Sequence, residues 1–282
     1  MKTFRLVSAA LFAVLMCANF ASCSKDDDAT NTDVGGNDEG GNQEVTVSEK
    51  KLVKMVGTLS YDSDTYNRTN TYTFSYNNEG RLSSAIETES YDNGYGKSED
   101  KYSYKLIWGD DAVVVKYEAT GESIADYTST YTYTLKDGLV QDYITDSNNG
   151  TYYYNSSNSL IKAEFTGKGY TINAVWDKDK LVSVRHSYAN YGSGTPSILT
   201  YGESCKKGYF PLISDIIGWE DVLFMAHPEI AGMRTNQLPN TYSYADDEEF
   251  SLTYEYDKEG YISKIKMKDE DGDSETYTLT WK

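Results

Sequence analysis

Tyr72-Thr73-Phe74-Ser75-Tyr76-Asn77-Asn78-Glu79-Gly80-Arg81-Leu82-Ser83-Ser84-Ala85 is the stretch whose reading decides the fold. Aromatic rings at every second position, with small hydroxyl residues between them, have the period of a strand that buries one face and wets the other. Asn77 to Gly80 supply the polar, glycine-ended vocabulary of a hairpin turn. Leu82 then opens a return strand. From Leu82 to Ala85 the apolar spacing is three rather than two, and a β-bulge is predicted there to restore the facing.

The same unit recurs along the chain. Tyr102-Ser103-Tyr104-Lys105-Leu106-Ile107-Trp108, Tyr131-Thr132-Tyr133-Thr134-Leu135 and Phe250-Ser251-Leu252-Thr253-Tyr254-Glu255-Tyr256 alternate in the same way. Turns read Gly109-Asp110-Asp111, Lys136-Asp137-Gly138, Ser156-Ser157-Asn158-Ser159, Asp177-Lys178-Asp179-Lys180 and Asp257-Lys258-Glu259-Gly260. Return strands begin at Val113, Leu139, Leu160, Leu181 and Ile262, and the three-residue step recurs in Leu160 to Ala163, Leu181 to Val184 and Ile262 to Ile265. Neighbouring hairpins of this kind pair into a long antiparallel meander. The predicted fold is therefore all-β: a single domain over residues 47–282, with about a dozen strands twisted or curled over their aromatic face into a half-barrel. Its edge strands would need charges or a covering loop.

The alternation stops between Thr195 and Glu249. Phe210 to Pro228 reads as a helical insertion, near 211–228, with Ser214 or Asp215 as cap and Pro228 as stop. Ile213, Ile216, Ile217, Val222, Leu223 and Phe224 form its apolar side, and Gly218 splits it. The packing role expected of it is to cover an open mouth or one face of the sheet. The functional alternative is a pocket with Trp219 and His227 at its rim as ligand contacts.

The start of the chain carries an address. Lys2 and Arg5 precede the apolar run Leu6 to Phe20, too short to span a bilayer, and Ala21-Ser22-Cys23 follows. Residues 1–22 are predicted to be a lipoprotein signal peptide and Cys23 the lipidated residue. Cys17 fits less well, because the bulky Met16 precedes it. Residues 23–46 are acidic, glycine-rich and without aromatics, the composition of a flexible tether about 25 Å in reach. Diacylated anchoring is stable, so the domain is expected at a membrane, outside the cytoplasm.

The 282-residue chain has 26 basic and 44 acidic residues. Removing the signal takes away Lys2 and Arg5 and no acid, leaving a net charge of −20. Such a surface repels polyanions, which argues against nucleic-acid partners. After lipidation at Cys23 the only cysteine is Cys205, so no intramolecular disulfide is expected. His186, His227 and Cys205 have no zinc spacing, and no Gly-x-Ser-x-Gly elbow occurs. Asp269 to Glu275 is acidic, but Gly272 stands fourth and no glutamate follows at the twelfth position, so a hairpin turn is read rather than a calcium loop. Two carboxylates are all that a glycosidase requires, and the sequence singles out no pair. No catalytic, cofactor-binding or metal-ligating residue is predicted. Most rings are expected in the core, and those left exposed would suit sugar faces or a partner's apolar patch.

The Tyr-x-Tyr strand, the Asp/Asn-x-x-Gly turn and the Leu-x-x-Ala/Ile return resemble the tyrosine-aspartate repeats of bacterial surface proteins. With the lipoprotein start, and an insertion closing on Leu238-Pro239-Asn240 before a last hairpin, the chain resembles the Bacteroidetes lipoproteins of domain of unknown function 4595. Ser24-Lys25-Asp26-Asp27-Asp28 is similar to the acidic tag that sends lipoproteins of that phylum to the outer face of the outer membrane. The resemblance implies surface display and no reaction. The expected function is thus a non-enzymatic binding or display module for a glycan or protein ligand, without a cofactor. A polysaccharide-acting hydrolase and a purely structural envelope protein are the alternatives.

Overall fold

The computed structural model describes residues 49–60, 67–92, 96–218, 221–244 and 248–282. Its strands are β1 (Leu52–Ser60), β2 (Asn67–Tyr76), β3 (Leu82–Asp92), β4 (Lys97–Trp108), β5 (Ala112–Gly121), β6 (Tyr127–Lys136), β7 (Leu139–Ile144), β8 (Asn149–Tyr154) and β9 (Leu160–Phe165). They continue with β10 (Tyr170–Asp177), β11 (Lys180–Tyr188), β12 (Gly192–Ser193), β13 (Ser197–Ser204), β14 (Gln237–Tyr244), β15 (Glu248–Tyr256), β16 (Ile262–Lys268) and β17 (Ser274–Trp281). All pairings among them are antiparallel and join chain neighbours, apart from two. The first is β11 with β13, because the two-residue β12 and β13 share one side of β11 and act as one broken strand. The second is β1 with β17, in register from Lys54↔Thr280 to Ser60↔Ser274.

That last pairing corrects the half-barrel expectation. The sheet closes into a barrel with sixteen strand positions, counting β12 and β13 as one. Closure removes the unpaired N–H and C=O groups that an open meander would leave on two edges. The ends of the chain are zipped as well, since Lys51 and Lys282 exchange backbone hydrogen bonds of 2.6 and 2.9 Å.

Bulges fall where the three-residue steps demanded them. Ser75 pairs with Ser84 and Tyr76 with Leu82, which leaves Ser83 as the extra residue. Ile161, Val182 and Ser263 are skipped in the same way opposite β8, β10 and β15. Next to these bulges the repeat builds a clasp: a ring near the end of a strand donates to a carbonyl at or near the start of an earlier strand. Tyr76, Trp108, Tyr154, Trp176, Tyr201, Tyr254 and Trp281 donate to the carbonyls of Leu52, Leu82, Val140, Leu160, Leu181, Pro239 and Ile262 at 2.6–2.8 Å. A buried ring thereby keeps its polar atom satisfied while its body packs in the core.

Alternate residues divide between the two faces of the wall. Tyr72, Phe74, Leu106, Val113, Val115, Tyr133, Ile172, Val184, Leu252, Ile265 and Leu279 point inward and are buried. Thr73, Ser75, Lys105, Lys116, Glu118, Thr130, Arg185, Thr253, Lys266 and Thr280 point outward and are exposed or half-exposed. A membrane-spanning barrel has an apolar outer band and a polar interior; here polar and charged residues are interspersed with Ile86, Ile107, Ile144, Val175 and Ile198 on the outer face, and the core inside is largely apolar. No helix among the described residues is long and apolar enough to cross a membrane.

The insertion supplies the remaining core. Residues 205–236, between β13 and β14, carry α1 (Ile213–Ile216), α2 (Val222–Ala226) and a 3-10 turn at Pro228–Ala231. Phe210, Leu212, Ile213, Ile217, Leu223, Phe224, Ala231 and Met233 are at most 1% exposed. The apolar residues of the segment therefore plug the barrel core, with Lys206, Lys207, Glu229 and Arg234 left exposed, and they do not form one amphipathic helix over a mouth or face. Gly218 (φ 78°) breaks it as expected. α1 has no side-chain cap, and the capping acid is Asp221, which accepts from the Leu223 N–H at 2.8 Å at the start of α2.

Candidate functional site

The plug enters at the barrel end that also holds the turns at 77–80, 109–111, 136–138 and 257–260 and both ends of the described chain. Several strand residues hold it there. Asp221 accepts from Tyr131 and Tyr133 hydroxyls at 3.0 and 2.7 Å, tying α2 to β6. Burial pushes its carboxyl up, against the opposing pull of the Tyr133 hydrogen bond. Tyr209 donates to the carbonyls of Met225 and Ala226, and the Leu160 N–H donates to Gly232 at 3.0 Å.

His227 belongs to this anchoring. It is 5% exposed, its Nε2 accepts from the Leu82 N–H at 3.0 Å, and its Nδ1 therefore carries the proton given to Glu229 at 2.8 Å. Tyr76 and Trp108 pack edge-on against the ring. His227 is thus a packing residue with both nitrogens used, not the rim of a pocket. Trp219, Cys23 and the signal and tether segments lie outside the described residues. His186 is half-buried at the Gly218 contact, bonded to Tyr170, with its pKa lowered by burial. Cys205 is buried, and burial pushes its thiol up to about 11, so it is a poor nucleophile at neutral pH.

The far half of the inner wall has a different chemistry. By alternation from the buried positions, β2, β3, β4, β5, β6 and β17 turn Arg68, Tyr72, Glu87, Glu89, Tyr91, Asp100, Tyr102, Tyr104, Tyr117, Tyr127, Glu275 and Tyr277 inward. Arg68 pairs with Glu89, and its guanidinium lies 5.6 Å from the Tyr91 ring centroid. Tyr104 donates to Glu87 at 3.1 Å. Tyr102 stacks on Tyr117 at 6.0 Å and 12° between planes, and Tyr127 packs on Tyr117 at 5.3 Å while donating to its hydroxyl at 3.0 Å. Asp100, bonded to the Ser123 N–H and hydroxyl, holds the next turn and is 1% exposed.

Charge on this wall is unbalanced, with Arg68 against Glu87, Glu89, Asp100 and Glu275. Burial is the main reason that the Glu87 carboxyl is pushed up to about 6. Burial likewise, with Asp215 of α1 adding repulsion, pushes Glu275 up to about 7. Among the described residues, no three His, Cys, Asp or Glu side chains are grouped to hold a metal ion. Sequence reading missed this wall, although its signal was present: once the bulge sets Ala85 inward, alternation puts Glu87, Glu89 and Tyr91 on the face that should be core.

No known protein family matches the chain, and no curated protein does. Among solved structures the chain is similar to a porin-like protein from Bacteroides uniformis, with 17% identity, a TM-score of 0.61, and coverage of 82% of this chain and 98% of that one. A porin-like protein from Bacteroides vulgatus also matches, at 11% identity and a TM-score of 0.30, over 83% of this chain and 99% of that one. The Bacteroides uniformis likeness extends over almost the whole of that protein, and what the two chains share is a closed antiparallel barrel.

Proposed function

We propose that the protein is a non-enzymatic binding or display module of the outer membrane, held there by a lipid on Cys23 and facing the exterior, in keeping with the resemblance to lipoproteins of domain of unknown function 4595. The observation that carries the reading is the sidedness of the barrel. An outer face in which Thr, Ser, Lys and Glu break up the apolar residues, around an interior plugged by an apolar segment, lacks the continuous apolar band of a spanning barrel and favours membrane attachment from elsewhere in the chain. The Ala21-Ser22-Cys23 sequence supplies it. The porin-like likeness favours an outer-membrane setting for such a barrel and carries no reaction with it. Residues 23–46 then act as a leash that lets the domain stand clear of the lipid.

The experiment is fractionation of cells expressing the full chain or Cys23→Ala, with metabolic labelling by a fatty-acid analogue. The native chain is expected in the outer-membrane fraction and labelled, whereas Cys23→Ala is expected unlabelled and released from it. A Cys23→Ala chain that stays with the membrane through carbonate washing refutes lipid anchoring.

A further inference from the structure

The outward positions of four adjacent strands break with the composition of the chain. By alternation from the buried Ile265, Leu279, Met55 and Phe74, strands β16, β17, β1 and β2 turn Lys264, Lys266, Lys268 and Lys54 outward, and their other described outward side chains are threonines, serines, Val56 and Asn67. None of these positions holds a carboxylate, although the chain has 44 acidic and 26 basic residues. Beside this sector the wall is concave. Thr253, Glu255, Lys264, Lys266 and Thr276 line a groove of about 300 Å³ on the outer face of β15, β16 and β17. Register arranges its lining: Lys266 lies between Thr253 and Thr276, and Lys264 between Glu255 and Thr278. Side chains opposite each other are about 5 Å apart and successive outward residues about 7 Å, so the ammonium groups form a column with hydroxyls along its sides. Glu255 accepts from Lys264 at 2.7 Å, and no carboxylate among the described residues pairs with Lys266.

We infer that this groove binds a linear acidic polysaccharide, with sugar carboxylates on Lys264 and Lys266 and sugar hydroxyls on Thr253 and Thr276. The inference names the ligand class and the place for the binding module proposed above and rests on that reading. Ammonium groups donate to carboxylates, and threonine hydroxyls both donate and accept, which matches a polymer that carries acids and hydroxyls on every unit. The carboxylate-free sector on β16, β17, β1 and β2 lets such a chain run on past the groove without meeting a like charge. Other anionic partners fit less well. A membrane plane meets the convex wall of a barrel along a line and does not enter a groove. Single-stranded nucleic acid uses aromatic platforms for its bases, and no ring lines this groove. Strand addition by a peptide needs a free sheet edge, and the closed barrel has none.

The test uses the full lipidated chain in uncharged detergent micelles, with oligogalacturonate, its methyl ester and oligoglutamate as probes, read by calorimetry at low and at raised salt. Oligogalacturonate is expected to bind, and to bind more weakly as salt rises. The ester, which keeps the hydroxyls and loses the charge, is expected to bind at least about tenfold more weakly. Lys264→Gln combined with Lys266→Gln is expected to weaken oligogalacturonate binding at least about tenfold, and Thr276→Val about threefold. Glu255→Gln frees Lys264 and removes a repelling charge, so it is expected to tighten binding about threefold, a gain that lost folding cannot mimic. Lys116→Gln, on the outer face of β5, is expected to bind like the native chain. Failure of oligogalacturonate to bind overturns the acidic-glycan site, while lipid anchoring is judged separately by its own fractionation. Binding unmoved by the paired lysine changes overturns the groove and leaves a binding module in place. Oligoglutamate binding as tightly as oligogalacturonate overturns the polysaccharide in favour of an acidic peptide.

Discussion

Asp221 concentrates the logic of the interior in one side chain. Its carboxylate is 8% exposed and takes hydrogen bonds from two tyrosines of the wall and one backbone N–H of the plug. A buried carboxylate without donors is costly, and donors left without their acceptor are nearly so. Asp221→Ala strands the hydroxyls of Tyr131 and Tyr133 together with the Leu223 N–H, and is expected to cost about 3–5 kcal/mol in urea unfolding. A loss under about 1 kcal/mol would mean that the plug does not depend on this tie. Nothing in the sequence marks Asp221. Ser214 and Asp215 precede the same apolar run and fit a cap as well, and only the tertiary position of Tyr131 and Tyr133 decides between them. The bulged hairpins are the contrary case, because the pairing of an aromatic strand end with an aliphatic return residue is visible from the order of residues alone in Tyr76 and Leu82, Trp176 and Leu181, and Tyr256 and Ile262.

At the scale of elements, the plug shows why its packing was harder to read than the strands. Its helices span four and five residues, too short for a polar and an apolar face to separate. All of their residues except Asp215 are buried, so periodicity has little to report. What fits the segment to the wall is close approach at two glycines. Gly232 has φ 62°, and a Cβ there would lie 2.2 Å from the Asn158 carbonyl oxygen. Gly218 has φ 78°, and a Cβ would meet His186 at 2.6 Å. Gly232→Ala is expected to destabilise by about 2–4 kcal/mol, since the left-handed backbone and the overlap with backbone both resist the methyl. Calorimetric melting of that variant beside Gly138→Ala separates the two effects, because Gly138 has φ 79° but open space around its Cβ position. Equal losses at both sites would mean that backbone conformation alone matters and that plug contact does not.

For the molecule as a whole, the inner acids link stability to pH. Glu87 and Glu275 hold their protons up to about 6 and about 7 in the folded barrel, above the 4.5 of the free side chain. Below about pH 4.5 both states are protonated and the two groups contribute nothing. As pH rises from there to about 7 the unfolded chain releases protons that the barrel keeps, so stability falls, and the penalty is complete above that range. The melting temperature is therefore expected to rise on going from pH 8 to pH 5. Glu87→Gln with Glu275→Gln should flatten that rise and lift the melting temperature at pH 8, and an unchanged slope would exclude these two groups as its source. Such acids were legible as residues but not as neighbours, since it is closure that brings β17 beside β1 and sets Glu275 in the row that runs through Leu59 to Arg68. Closure itself left no mark in the sequence, because β1 and β17 read like any other pair of alternating strands.

The seam between β1 and β17 also orders events in time. Until Ser274–Trp281 has docked, Leu52–Ser60 stays an unfinished border, and any chain cut short before that segment has two raw margins with the appetite of an amyloid template. Assembly is therefore complete only once Ser274–Trp281 has docked, and premature termination upstream of Ser274 should yield clumped material rather than a smaller working protein.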